Sequence, residues 1–122
     1  MAGELRGKFL VVITDLDGTL LDQQTYSYEP SLAAIERLRG QKFPLVLCSS
    51  KTAAEILALQ RQLQLKEPFI CESGGAIFLP RGYFPFPIAA LKSQRRMDVI
   101  EFGKRIFYLR RALSKAAQHC AA

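Results

Sequence analysis

The chain has 122 residues, of which 49% are apolar and 23% charged, with a formal net charge of +6. That balance belongs to a globular protein with a core and not to a disordered or low-complexity chain. No run approaches the roughly 20 apolar residues of a membrane span, the apolar start FLVVI meets Asp15 with no small-residue cleavage site, and Cys48, Cys71 and Cys120 are too scattered for a disulfide framework or zinc site, so a cytoplasmic protein without membrane contact is expected.

FLVVIT at 9–14 is a continuous apolar, β-branched run, the pattern of a strand covered on both faces. A turn-rich stretch from Gly18 to Tyr28 follows. Pro30 and Ser31 then open a helix carrying Leu32, Ile35 and Leu38, with Gly40 placed to end it. Pro44 leads a second buried strand, Leu45 to Cys48, closed by Ser49 and Ser50. A helix beginning near Thr52 presents Ile56, Leu59 and Leu63 on one face. After Pro68, Phe69-Ile70-Cys71 is a third strand. Gly74-Gly75 turns the chain into Ala76 to Leu79, and Tyr83-Phe84 is expected to pair back as a hairpin after the Pro80-Arg81-Gly82 turn. Beyond Pro85-Phe86-Pro87, a strand at 97–102 and a helix at 105–118 with Ile106, Leu109 and Leu113 on one side complete the chain. Alternating strands and helices predict an α/β fold, a partial Rossmann-like parallel sheet with right-handed crossovers.

In such a sheet, ligands bind beyond the carboxyl ends of the strands. Three strand ends here are polar: Asp15 and Asp17, then Ser49 to Thr52, then Glu72 and Ser73 with two glycines. Two carboxylates this close are costly together. A divalent cation shared with a phosphate relieves the cost, and magnesium prefers carboxylate, carbonyl, water and phosphate oxygens. A carboxylate can also act as nucleophile and form an aspartyl-phosphate. Gly18 permits a sharp turn that points N–H groups at an anion, and Thr19 offers a hydroxyl to fix it. The single histidine, His119, lies near the C-terminus and reads as a solvated residue, which disfavours Ser-His or Cys-His chemistry.

DLDGT after a buried strand resembles the first motif of the haloacid dehalogenase (HAD) superfamily of phosphatases. The resemblance implies that Asp15 attacks phosphorus, that Asp17 protonates the leaving oxygen, and that Mg2+ is held by the Asp15 side chain and the Asp17 carbonyl. It gives Ser49 the place of the second motif, contacting the transferring phosphoryl group. SSKT followed by AAEI is similar to the mannosyl-3-phosphoglycerate phosphatase branch, in which Ser50 and Lys51 extend the match and Lys51 offers a cation to a phosphate or carboxylate of the substrate. PFICESGGAIFLP resembles that branch's ENGGAI segment, which adds Ser73 and Gly74 to the substrate-binding set with Gly18 and Thr19. Serine stands at 73 where the branch usually has asparagine. VIEFGKRIFYLRRAL resembles the opening strand and helix of its cap.

These resemblances imply a HAD-like core in residues 1–86 and the start of a truncated α/β cap in 87–122. The implied function is a Mg-dependent phosphomonoester hydrolase acting on a glycosyl-glycerate or sugar phosphate. The family's later lysine and its acidic Gly-Asp-x-x-x-Asp motif have no match here. Losing one such electrostatic group commonly costs about 10²–10³ in rate, so the 122-residue chain by itself is expected to be weakly active or inactive. The alternative is a non-catalytic HAD-like module that binds a partner. Residues 81–122 hold nine Lys/Arg against two Asp/Glu. Without interleaved aromatic platforms, this basic segment does not predict nucleic-acid binding; the expected partner is a small phosphorylated molecule. The oligomeric state has no signature in the sequence.

Overall fold

The computed structural model describes residues 10–88, 92–94, 96–103 and 106–120. Strands β1 (Val12–Thr14), β2 (Leu45–Cys48), β3 (Phe69–Cys71), β4 (Ala76–Pro80), β5 (Lys92–Gln94) and β6 (Met97–Glu101) form one sheet in the order β1-β2-β3-β4-β6-β5. The first three are parallel and are linked by helices α1 (Leu32–Gly40) and α2 (Ala53–Leu63). From β3 onward every pairing is antiparallel. The parallel half is therefore as the alternation predicts, and the sheet as a whole is mixed.

Tyr83 and Phe84 do not form the expected hairpin arm. The antiparallel partner of β4 is β6, along five residue pairs from Ala76↔Glu101 to Pro80↔Met97. Tyr83 and Phe84 instead pack edge to face, with ring centroids 5.1 Å apart, and Phe84 stacks on Phe86 at 5.2 Å. Two prolines in 85–87 remove the donors a paired strand would need. Strands on both sides of Phe86 thus share the sheet.

Alternation along the strands selects the buried face. Leu47, Phe69, Phe78 and Val99 stand in one row across β2, β3, β4 and β6. Leu47 and Phe69 are fully buried, and α1 and α2 close over this face with Ile35, Ile56 and Leu63. On the opposite face, Val46, Cys48, Ile70, Ile77 and Ile100 are half-buried, and Ile13, on the edge strand β1, is 61% exposed. The apolar character of that second face is why these strands read as continuous apolar runs instead of alternating ones.

Helix α2 begins with a capping box. The Thr52 side chain accepts from the Glu55 N–H, and the Glu55 carboxylate accepts from the Thr52 N–H at 2.9 Å. The Thr52 hydroxyl also donates to that carboxylate, and these bonds hold the Glu55 pKa below its ordinary 4.5. Helix α1 does not stop through Gly40, which lies in its last turn. The chain turns at Lys42, in the left-handed region at φ 57°, whose N–H donates to the Arg39 carbonyl.

Helix α3 (Ile106–Cys120) carries the basic end of the chain. Leu109 and Leu113, expected on its apolar face, are exposed, as is His119. Part of the positive charge in this half is matched locally, by ion pairs of Lys92 with Glu101 and of Arg81 with Asp98. Among the described residues, no helix is long and apolar enough to cross a membrane.

Candidate active site

The three polar strand ends converge. Asp15 follows β1 directly, Ser49 follows β2, and Glu72 and Ser73 follow β3. Ile13, Thr14, Asp15, Cys48, Ser49, Ser50 and Ser73 line one open cleft of about 550 Å³. Asp15, Ser49, Ser50 and Ser73, all singled out from the sequence, therefore share one concavity.

The loop after β1 alternates sharply in burial. Asp15 and Asp17 are exposed while Leu16 between them is fully buried. Leu16 anchors the loop in the core, and its carbonyl accepts the N–H groups of Thr19 at 3.1 Å and Leu21 at 2.8 Å. The Leu16 N–H in turn donates to Asp15 Oδ1 at 2.8 Å, which fixes that carboxylate and leaves its second oxygen for the cleft. Gly18 has φ +75°, a value that an L side chain rarely adopts, so the reversal after Asp17 requires a glycine. Thr19 serves the turn through its backbone, and it does not line the cleft.

Ser49 is buried and is the junction of the second and third strand ends. Its N–H donates to the Ile70 carbonyl, its carbonyl accepts from the Ser73 N–H at 3.1 Å, and its hydroxyl oxygen accepts from the Lys51 N–H at 3.2 Å. The Lys51 carbonyl accepts from the Glu72 N–H at 3.0 Å. Loop 49–51 and loop 72–74 are thereby laced together.

That lacing holds a strained segment. Glu72, Ser73 and Gly74 all have positive φ, at 50°, 54° and 91°. A left-handed L residue costs roughly 1–2 kcal/mol, and asparagine tolerates the conformation better than serine. This is the physical content of the Ser73 departure. Ser73→Asn is expected to raise the urea midpoint by recovering a fraction of that strain; an unchanged or lower midpoint would contradict the reading. At Gly75 an added Cβ would lie 3.2 Å from the Glu72 carbonyl, so this second glycine keeps the turn closed.

Lys51, like Asp17, Gly18, Thr19 and Gly74, does not line the Asp15 cleft. Its Nζ lies 3.3 Å from Asp17 Oδ1 and 5.9 Å from the centroid of the Tyr26 ring. It faces a neighbouring groove beside α2 and not the cleft of Asp15 and Ser49.

Tyr26 was not among the residues read from the sequence. It sits at φ 57° in a loop ordered by Asp22. Asp22 Oδ1 accepts from the N–H groups of Gln24 and Thr25 and from the Thr25 hydroxyl, and the Tyr26 N–H donates to the Asp22 carbonyl. The same bonds keep the Asp22 pKa below its ordinary 3.8. The available signal was Asp22-x-x-Thr25, an Asx-type turn inside a stretch legible only as turn-rich.

Cys71 is buried, and burial together with the neighbouring Glu72 charge pushes its thiol pKa up. It packs the core as a protonated thiol.

The donors near the cleft suit a hard cation. The Asp15 carboxylate is exposed, and Asp17 pairs with Lys51 through Oδ1, leaving its second carboxylate oxygen and its backbone carbonyl. Among the described residues, no group of three or more His, Cys, Asp or Glu comes together. The chain thus offers oxygen donors of the kind magnesium prefers, in an incomplete set.

The chain matches the family model described as haloacid dehalogenase-like hydrolase over residues 12–102. It is 42% identical over 93 residues to a glucosyl-3-phosphoglycerate/mannosyl-3-phosphoglycerate phosphatase of Methanococcoides burtonii, covering 76% of this chain and 34% of that protein. It is 40% identical over 105 residues to a mannosyl-3-phosphoglycerate phosphatase of Pyrococcus furiosus, covering 86% of this chain and 42% of the relative. The chain spans well under half the length of these curated relatives. Among solved structures, a hypothetical protein of Geobacillus kaustophilus HTA426 shares the fold at TM-score 0.62 and 18% identity, over 92% of this chain and 38% of that one. A haloacid dehalogenase-like hydrolase of Bacteroides thetaiotaomicron matches at TM-score 0.50 and 28% identity, over 57% of this chain and 27% of that one. With the family model covering most of its length and the parallel strand ends carrying the motif residues, the chain belongs to the haloacid dehalogenase-like hydrolases.

Proposed function

We propose that this chain carries the nucleophile half of a magnesium-dependent phosphomonoester hydrolase, with a glycosyl-glycerate or sugar phosphate, foremost a glycosyl-3-phosphoglycerate, as substrate. The observation that carries the reading is the exposed Asp15 carboxylate, fixed by the Leu16 N–H and sharing one cleft with Ser49, Ser50 and Ser73. The substrate class is supported by the names of the relatives, which are about 40% identical.

In this reading an Asp15 carboxylate oxygen attacks phosphorus and the ester P–O bond breaks. Asp17 gives its proton to the departing oxygen. Water then attacks the aspartyl-phosphate with Asp17 taking its proton, and the Asp15 carboxylate and inorganic phosphate are released. Ser49 and Ser50 orient the phosphoryl oxygens. The left-handed turns at Gly18 and Gly74 shape the loops around that anion and do not supply its donors: the Gly18 and Thr19 N–H groups are bonded to the Leu21 and Leu16 carbonyls, and the N–H groups of Ser73 and Gly75 to the Ser49 and Cys71 carbonyls. The Asp15 carboxylate and the Asp17 carbonyl would hold magnesium, which when bound would supply charge neutralisation for the incoming phosphate.

The test is release of inorganic phosphate from 3-phosphoglycerate and from mannosyl-3-phosphoglycerate, with magnesium and with chelator, using enough protein to follow a single turnover. Slow release that requires magnesium is expected. If neither ester yields phosphate and neither shifts any resonance of the cleft residues in an NMR titration, the proposed function is wrong.

A further inference from the structure

Lys51 lies on the Asp17 side of the site, in a groove of about 340 Å³ between the 22–28 loop and α2 that Tyr26, Tyr28, Glu55 and Gln62 also line. The cleft holding Asp15 and Ser49 is a separate concavity. In the reading above, Asp17 meets the departing oxygen, so a group beside Asp17 faces the leaving alcohol and not the transferred phosphoryl group. Lys51 has three N–H donors. One is directed at Asp17, and the ammonium sits within cation–π range of the Tyr26 ring. Tyr26 is held in place at a conformational cost: its φ of 57° is maintained by the Asp22 turn, although its side chain is largely exposed. An exposed aromatic kept in a strained conformation has no packing role to explain it, and such positions concentrate at functional sites.

From this arrangement we infer that Lys51 is a leaving-group reader: seated between Asp17 and the Tyr26 ring, its ammonium binds an anionic group, a carboxylate, carried by the alcohol portion of the phosphate ester. Tyr26 is the positioning residue that restricts Lys51 to that seat. The inference rests on the proposed role of Asp17 and assigns a task to the one predicted cation that the structure places outside the Asp15 cleft.

Three ligands separate the possibilities: 3-phosphoglycerate, glycerol 3-phosphate, which replaces the carboxylate by a hydroxymethyl group, and inorganic phosphate. Their binding to the 122-residue chain in the presence of magnesium is followed by NMR titration. Phosphoglycerate is expected to bind roughly three- to tenfold more tightly than glycerol 3-phosphate, as one charge-assisted contact allows. Lys51→Met should abolish that preference while leaving inorganic phosphate within about twofold. Tyr26→Leu should reduce the preference, and Tyr26→Phe, which keeps a ring face, should retain it. Equal weakening of all three ligands by Lys51→Met would show that Lys51 reads the transferred phosphoryl group and would overturn the inference. A preference that survives Lys51→Met would do the same. The seat is tested without ligand: the Lys51 ε-methylene protons should show an upfield ring-current shift in the wild type and in Tyr26→Phe that disappears in Tyr26→Leu. Unchanged shifts in Tyr26→Leu overturn the role of Tyr26. Failure of all three ligands to bind the wild type would count against the phosphatase reading itself, while the ring-current result still decides the seat.

Discussion

Asp15→Asn is expected to lower phosphate release by about 10³-fold or more, because it removes the proposed nucleophile and the remaining groups cannot replace it. The substitution is conservative in shape. An asparagine oxygen can still accept the Leu16 N–H that Asp15 Oδ1 now accepts at 2.8 Å, and the side chain is exposed, so the melting temperature should hold. An amide oxygen is too weak a nucleophile to form the acyl-phosphate. Asp17→Asn supplies the contrast. It removes the proposed proton donor, worth about 10²–10⁴ for a poor leaving group, and it also breaks the ion pair with Lys51. With p-nitrophenyl phosphate, whose leaving oxygen needs little protonation, Asp17→Asn should recover most of its activity and Asp15→Asn should not. Turnover by Asp15→Asn within tenfold of the wild type on either ester would remove Asp15 from the role of nucleophile.

The parts of this site that could be read in the sequence are those set by local chemistry. A β-branched run ending in Asp-x-Asp-Gly-Thr specifies a strand, a reversal and two exposed carboxylates, and Leu16 between them is the buried residue such a pattern needs. Ser49 and Thr52 were legible for a similar reason, since a strand stop and a helix start are short-range events. What could not be read depends on pairing at a distance. The sheet turns antiparallel where β4 folds back on β3 across Gly74-Gly75, a short-range event, but its next strand is β6, more than 15 residues further on, and nothing in Tyr83-Phe84 itself forbids the nearer hairpin except the prolines that follow. The placement of Lys51 was equally hidden. Its position at the start of α2 was visible, but whether its ammonium turns toward Asp15 or Asp17 depends on a loop 25 residues earlier that carries Tyr26. Ser73 was visible as a departure from the related branch, and only its φ of 54° gives the departure a physical meaning.

Phe69→Ala is expected to destabilise the fold by about 3–5 kcal/mol, the usual range for emptying a fully buried phenylalanine site. Against a total stability of about 5–15 kcal/mol for a native domain, this single change brings the chain close to unfolding. Phe69 is fully buried where the sheet changes character, paired with Leu47 in the parallel half and with Phe78 in the antiparallel half. Its ring lies flat on that of Phe78, with centroids 5.0 Å apart and planes 4° from parallel. Removing it takes away the packing between the two halves, and neither neighbour can fill the space without leaving its own row. Urea denaturation measures the loss, and a change below about 1 kcal/mol would show that the site collapses freely and that Phe69 is not the joint. The same substitution should be felt in the candidate active site. Strand β3 runs directly into Glu72 and Ser73, whose N–H groups donate to the carbonyls of Lys51 and Ser49. These bonds hold two left-handed residues in place, and they are only as firm as the strand that delivers them. In the variant, amide exchange at Glu72 and Ser73 should accelerate more than at Glu55 and Ile56 in α2, because strain stored in loop 72–74 is released as soon as β3 loosens. Equal acceleration at both places would mean that the strand and the helix open as one unit, and that the core does not transmit to the site through β3.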